Sequence, residues 1–147
     1  MFEAIVVGTD GSQTATTAVD EAVRLAGAVG ARLEIVSAYE PVPASRLRVE
    51  AQHAPPDVQW AIGPREDVES LLADCAQRAE AAGVSARTHA RQGDPADAIL
   101  DVAEETGADL VVVGNKGMTG AKRFLLGSVP NKVSHHAPCS VLIIRTS

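Results

Sequence analysis

Short continuous runs of apolar residues alternate with longer amphipathic segments along most of this chain. Residues 4–8 and 110–113 are such runs, each with the length of a strand that is buried on both faces. Between the runs, apolar residues recur at helical spacing, and Gly or Pro marks most of the boundaries. The pattern predicts the order β-α-β-α-β-α-β-α-β, which is typical of an open parallel sheet with helices on both faces.

Helix-capping residues, prolines and glycines predict where the helices and strands begin and end. Ser12 and Asp94 can cap helices, Pro64 and Pro95 suit first helical positions, and Gly30 can end the first helix. Residues 40–63 contain four prolines and give no regular pattern. The predicted strands are 4–8, 33–38, 84–91, 110–113 and 141–144, and the predicted helices are 15–29, 64–82, 95–106 and 128–136.

The size and composition predict one globular domain, residues 1–147, with 46% apolar residues. No apolar run reaches the roughly 18 residues that span a membrane, and the acidic Glu3 does not suit a signal peptide. Cys75 and Cys139 are too few for a disulfide scaffold. We therefore expect a cytoplasmic protein that has no membrane partner.

Charge is distributed unevenly along the chain. The first 109 residues carry all 19 acidic residues and eight basic ones, whereas the remaining 38 carry five basic residues and none that is acidic. This asymmetry favours an anionic ligand at the C-terminal part. The basic set is too small and too scattered to favour nucleic acid, so we expect a small phosphate-bearing molecule.

A glycine-rich segment follows the strand at 110–113. Gly114, Gly117 and Gly127-Ser128 give the spacing G-x2-G-x9-G-S, which matches neither the Walker A motif nor the dinucleotide motif G-x-G-x-x-G. Glycines allow close backbone approach, and a helix start at Ser128 offers unpaired N–H groups to an anion. The segment predicts a phosphate-binding site; the alternative is a tight turn followed by a capped helix.

Three segments should meet at one edge of the predicted sheet, because each follows a strand. They are residues 9–12, 38–40 and 114–128. Asp10 could share a magnesium ion with ligand phosphates, although a turn aspartate that caps the first helix is the simpler interpretation.

The chain resembles the universal stress protein family. The resemblance rests on Ile-Val-Val-Gly-Thr-Asp-Gly-Ser at 5–12, Gly-Asn-Lys-Gly at 114–117, Arg-Phe-Leu-Leu-Gly-Ser-Val at 123–129 and Ala-Pro-Cys-Ser-Val-Leu at 137–142. It extends over essentially the whole chain and is weakest across residues 40–63.

The resemblance implies an adenine-nucleotide alpha-hydrolase-like fold with strand order 3-2-1-4-5 and a homodimer that forms through the last strand. It implies that Asp10 lies near the phosphates and a divalent cation, and that the backbone of Ala38 meets adenine. The expected nucleotide-binding residues are Thr9, Asp10, Gly11, Ser12, Ala38, Gly114, Asn115, Lys116, Gly117, Arg123, Gly127, Ser128 and Val129.

The function we expect is that of a cytoplasmic stress-response regulator that binds an adenine nucleotide, with ATP preferred and AMP or cyclic AMP as alternatives. The sequence shows no nucleophile and base paired to activate water, so we assign no catalytic residue. Two other hypotheses remain open: a slow magnesium-dependent ATP hydrolase or phosphate-transferring enzyme, and a dimerising module without a ligand.

Overall fold

The computed structural model follows the predicted alternation of strands and helices. It describes residues 1–40, 64–115 and 126–146. The boundaries agree with the predicted ones to within about two residues. The elements are β1 (Ala4–Gly8), α1 (Gln13–Val29), β2 (Arg32–Tyr39), α2 (Pro64–Ala81), β3 (Ala86–Gln92), α3 (Pro95–Thr106), β4 (Leu110–Gly114), α4 (Ser128–His136) and β5 (Ser140–Ile144).

The five strands form one parallel sheet in the order β3-β2-β1-β4-β5. In the register, Val7 of β1 pairs with Ile35 of β2 on one side and with Val112 of β4 on the other. The expected strand order 3-2-1-4-5 is therefore confirmed. Because the order reverses between β1 and β4, the carboxyl ends of these two strands are the place where ligands are expected to bind in a sheet of this kind.

Both faces of the sheet are covered, which explains the continuous apolar runs in the central strands. Ile5 and Val7 lie in a core that includes Leu72 of α2, whereas Val6 lies in a second core with Ile99 of α3. Each fully buried side chain of this size contributes about 1.5–3 kcal/mol to stability. Cys75 is also buried in the first core.

A buried carboxylate, Glu34, interrupts the apolar surface of β2. Its side chain has no exposed surface, and its Oε1 accepts a hydrogen bond from Arg87 of β3. The other oxygen, Oε2, lies 3.1 Å from Nε2 of His89, and Arg32 Nε is 3.6 Å from Oε1. Parallel register explains the arrangement, because Glu34 pairs with Arg87 across the two strands. The charge is thus paired and hydrogen-bonded, as burial of a carboxylate requires.

The two edges of the sheet differ in character. On β5, Leu142 and Ile143 are 38% and 39% exposed, which is high for large apolar side chains. On β3, Arg87 and Arg91 form ion pairs with acidic residues of neighbouring elements. Charged side chains protect an edge strand from pairing, whereas apolar ones invite it.

Across the described ranges, no helix combines the length and apolar character that crossing a membrane requires.

Candidate functional site

The turn after β1 presents Asp10 at the carboxyl edge of the sheet. Thr9 is only 2% exposed, and its Oγ1 accepts a hydrogen bond from the Gly11 N–H at 3.1 Å. Ser12 caps α1, with its Oγ 3.2 Å from the Ala15 N–H. The hydroxyls of Thr9 and Ser12 thus hold the turn together. Of the four residues predicted here, Asp10 offers an exposed charged side chain.

Asp10 is not the helix cap that the simpler interpretation required. Its Oδ1 accepts the Ser12 N–H at 2.9 Å, and Ser12 itself supplies the cap. A magnesium ion that is shared with phosphates needs only one or two protein carboxylates. Asp10 fits that requirement, whereas no group of three or more His, Cys, Asp or Glu side chains elsewhere in the described parts of the chain could hold a metal alone.

Beside this turn lies a pocket of about 300 Å³ between the ends of β1 and β2 and the start of α2. The floor includes Gly11, whose φ of +83° favours glycine; a Cβ there would lie 3.3 Å from Leu71 Cδ2. Three of the predicted binding residues, Asp10, Gly11 and Ala38, line the pocket. The full lining among the described residues is Asp10, Gly11, Ser37, Ala38, Asp67, Val68 and Leu71.

Sequence reasoning missed the contribution of α2 to this pocket. Val68 and Leu71 belong to the apolar stripe of the helix, and the stripe predicted only that they face the interior. Asp67 gave no signal beyond its favourable place in a first helical turn. The hint available in the sequence was topological, since α2 follows the strand that ends at Ala38.

The second half of the site begins at Gly114, the last residue of β4. A Cβ at this position would lie 3.3 Å from Thr146 Cγ2 and 3.9 Å from the Thr14 carbonyl oxygen. Glycine therefore lets the end of β4 pack closely against the start of α1 and the residues after β5. This contact also places Gly114 near the Asp10 turn, as predicted from the shared carboxyl edge.

The helix start at Ser128 is confirmed. Gly127 is the N-cap and provides no side-chain cap, while its N–H donates to the Asn115 carbonyl at 3.0 Å. Ser128 is exposed, whereas the side chain of Val129 is buried, so Val129 can meet a ligand only through its backbone. Lys116, Gly117 and Arg123, which we also predicted to bind nucleotide, lie outside the described residues.

An ion-pair cluster fixes α4 against α3. Lys132 Nζ lies 2.8 Å from Asp97 Oδ1 and 3.4 Å from Asp94 Oδ2. The Asp97 N–H and Lys132 both lower the pKa of Asp94 below its ordinary value. Hydrogen bonds to Asp97 and Asp94 raise the pKa of Lys132. The cluster is about half exposed and links the start of α3 to α4.

The site therefore has two parts on either side of the switch in strand order. The pocket at β1, β2 and α2 is apolar with two carboxylates, Asp10 and Asp67. The helix start at Gly127 and Ser128 has backbone N–H groups without a side-chain cap. Gly114, Gly127 and Ser128 are not among the described residues that line the pocket, so the sheet edge, rather than one cavity, joins the two parts.

Comparisons with known proteins identify the family of this chain. The sequence is 38% identical over 147 residues to universal stress protein Rv1636 of Mycobacterium tuberculosis, and the alignment covers 99% of this chain and 98% of the relative. It is 36% identical over 148 residues to universal stress protein YxiE of Bacillus subtilis, with 99% and 100% coverage.

A solved structure is similar over the same length. The crystal structure of a universal stress protein in complex with cAMP is 35% identical and superposes with a TM-score of 0.73, covering 99% of this chain and 98% of that one. The model of the universal stress protein family matches residues 1–145. The chain therefore belongs to the universal stress protein family.

Proposed function

We propose that this protein is a cytoplasmic regulator that binds an adenine nucleotide across the carboxyl edge of its sheet. The observation that carries the proposal is the pairing, on neighbouring strands, of a 300 Å³ pocket with an uncapped helix N-terminus. A nucleotide has the same two-part chemistry, a flat base with its ribose at one end and phosphate at the other. The cAMP complex of a relative that is 35% identical supports this ligand class.

The chemistry of the two parts orients the ligand. Carboxylates at Asp10 and Asp67 disfavour phosphate without a bound cation inside the pocket, and that of Asp67 can accept hydrogen bonds from ribose hydroxyls or an exocyclic amine. The apolar side chains of Val68 and Leu71 suit a base. The N-terminus of α4 favours the phosphate, because its N–H groups and the helix dipole attract negative charge. We therefore place the nucleoside in the pocket and the phosphate at Ser128.

ATP is the nucleotide that we propose, with AMP and cyclic AMP as the other candidates. Magnesium would be held by Asp10 together with the phosphates, where it would offset their negative charge. The output is a change of conformation or association that partners read. The competing hypothesis of slow ATP hydrolysis would also use Asp10, and it differs in requiring release of ADP.

Isothermal titration of the purified protein with ATP, AMP, cyclic AMP and GTP tests the function directly. We expect saturable binding of at least one adenine nucleotide with a Kd below about 1 mM, which corresponds to about −4 kcal/mol, and weaker binding of GTP. Magnesium should strengthen ATP binding in the wild type but not in Asp10→Asn. Absence of binding by every adenine nucleotide would refute the proposal, and ADP release lost in Asp10→Asn would favour the hydrolase.

We also propose that two copies associate through β5. The support is the exposure of Leu142 and Ile143 on this edge strand. Sedimentation velocity should give twice the mass of one chain for the wild type and a single-chain mass for Ile143→Glu, because a buried unpaired carboxylate opposes association. Val29→Glu is the matched control, since Val29 is 38% exposed at the end of α1. A single-chain mass for the wild type would contradict the dimer.

A further inference from the structure

The residues that follow β5 reach back to the end of β4. Thr146 donates two hydrogen bonds to one atom, Asn115 Oδ1, from its backbone N–H and from its Oγ1, each at 2.9 Å. Asn115 in turn donates its backbone N–H to the Ile144 carbonyl at 2.9 Å. The two residues are 31 positions apart in sequence, so this contact is tertiary. It joins the last strand to the beginning of the glycine-rich segment.

Asn115 also holds the other end of that segment. Its carbonyl oxygen accepts the Gly127 N–H at 3.0 Å, and Gly127 is the N-cap of α4. Hydrogen bonds therefore run from Thr146 through the side chain and backbone of Asn115 to the helix start. The Thr146 methyl group also packs against the end of β4, because its Cγ2 lies 3.3 Å from where a Cβ on Gly114 would be.

These contacts give Asn115 a structural role in addition to the ligand contact predicted for it. Its carbonyl, its N–H and its Oδ1 all have partners within the protein. An amide side chain that rotates about χ1 and χ2 needs such partners to keep one orientation, and half-buried polar groups are normally satisfied in this way. The two donors on Thr146 fix the Asn115 side chain, and the Asn115 backbone then fixes Gly127.

We propose that Thr146 is a positioning residue for the phosphate end of the nucleotide site. It holds Asn115 so that the Asn115 carbonyl keeps Gly127, and with it the N–H groups of Ser128 and Val129, in the geometry that receives phosphate. This inference rests on the proposed function and deepens it, because it assigns control of phosphate affinity to a residue beyond the last strand. The nucleoside pocket is lined by other elements and does not depend on Thr146.

The test compares Thr146→Val with Thr146→Ser in the full chain. Valine keeps the shape of threonine but removes the hydroxyl donor, whereas serine keeps the donor. Losing one hydrogen bond of this kind changes an equilibrium by about threefold to tenfold. We expect Thr146→Val to raise the Kd for AMP by this factor and to accelerate amide hydrogen exchange at Gly127, measured by NMR. Thr146→Ser should restore both to within about twofold of the wild type.

Adenosine, which has no phosphate, separates positioning from a general loss of structure. Its affinity should be the same in the wild type and in Thr146→Val. Thr17→Val is the matched control, because Thr17 Oγ1 donates to the Gln13 carbonyl at 3.1 Å on the exposed surface of α1. This control should leave AMP affinity and Gly127 exchange unchanged.

Each outcome decides the inference. Unchanged Gly127 exchange in Thr146→Val overturns it, and so does an equal loss of AMP and adenosine affinity. If the wild type binds no nucleotide, the proposed function fails, but amide exchange at Gly127 still tests whether Thr146 positions Gly127 through Asn115. Faster exchange in Thr146→Val supports this link, and unchanged exchange overturns it.

Discussion

Replacing Ser128 with aspartate should weaken AMP binding by about 100-fold without destabilising the protein. Ser128 is exposed in the first turn of α4, so a carboxylate can enter without disturbing the core. Negative charge there is favourable to the helix by about 0.3–1 kcal/mol. The same charge repels a phosphate that lies about 4 Å away, at a cost of up to about 4 kcal/mol before screening by salt. Aspartate at position 128 should therefore stabilise the helix while it weakens the binding of AMP.

Titration calorimetry and thermal unfolding together measure these two responses. Ser128→Asn is the matched control, because it has nearly the same shape as aspartate without the charge, and it should bind AMP within about tenfold of the wild type. Adenosine should bind Ser128→Asp and the wild type equally. Equal AMP affinity in Ser128→Asp and the wild type would show that phosphate does not lie at the start of α4.

Removing the partners of Glu34 should cost more stability than removing Glu34 itself. In the double variant Arg87→Met and His89→Leu, the fully buried carboxylate loses both of its hydrogen-bond partners. Arg32 Nε remains 3.6 Å from Oε1, but the Arg32 side chain is 42% exposed, so we expect most of the roughly 3–5 kcal/mol cost of breaking a buried ion pair to remain. Glu34→Leu removes the charge instead, and the exposed Arg87 can turn to solvent. We therefore expect its free energy of unfolding to fall by no more than about 1.5 kcal/mol.

Urea unfolding of the variants measures both effects. The triple variant that combines Glu34→Leu with the two partner changes should recover most of the stability that the double variant loses. Arg24→Met is the control for loss of a surface ion pair, because Arg24 and Glu21 are 78% and 42% exposed, and it should cost less than about 1 kcal/mol. A loss in Glu34→Leu equal to that in the double variant would mean that the ion pairs themselves stabilise the sheet.

The fold could be predicted from the sequence because local signals and tertiary structure agree. Continuous apolar runs marked the strands that are covered on both faces, and Ser12 and Asp94 cap their helices as predicted. Strand order is different, since no local pattern encodes it; the order 3-2-1-4-5 came from the family resemblance and is confirmed.

The candidate site was predictable only in part. The Asp10 turn and the helix start at Ser128 carry local signals, namely glycines and caps that follow strands. Leu71 and Thr146 carry none, because an apolar stripe does not distinguish a core residue from a pocket wall, and a threonine after the last strand has no local motif. Their roles depend on contacts between distant segments. The predicted roles of Lys116, Gly117 and Arg123 stay predictions.

The contrast between the two sheet edges would limit how far copies of this protein can assemble. In the proposed pair, association through β5 would be isologous, so each copy would use the same surface that it meets on its partner. The outer boundary of such a pair would be β3 on both sides, where Arg87 and Arg91 already hold ion pairs. Adding a third subunit would require these charges to lose water or their partners. The edge asymmetry would thus end growth at a closed pair and protect the sheet from extending into a fibre.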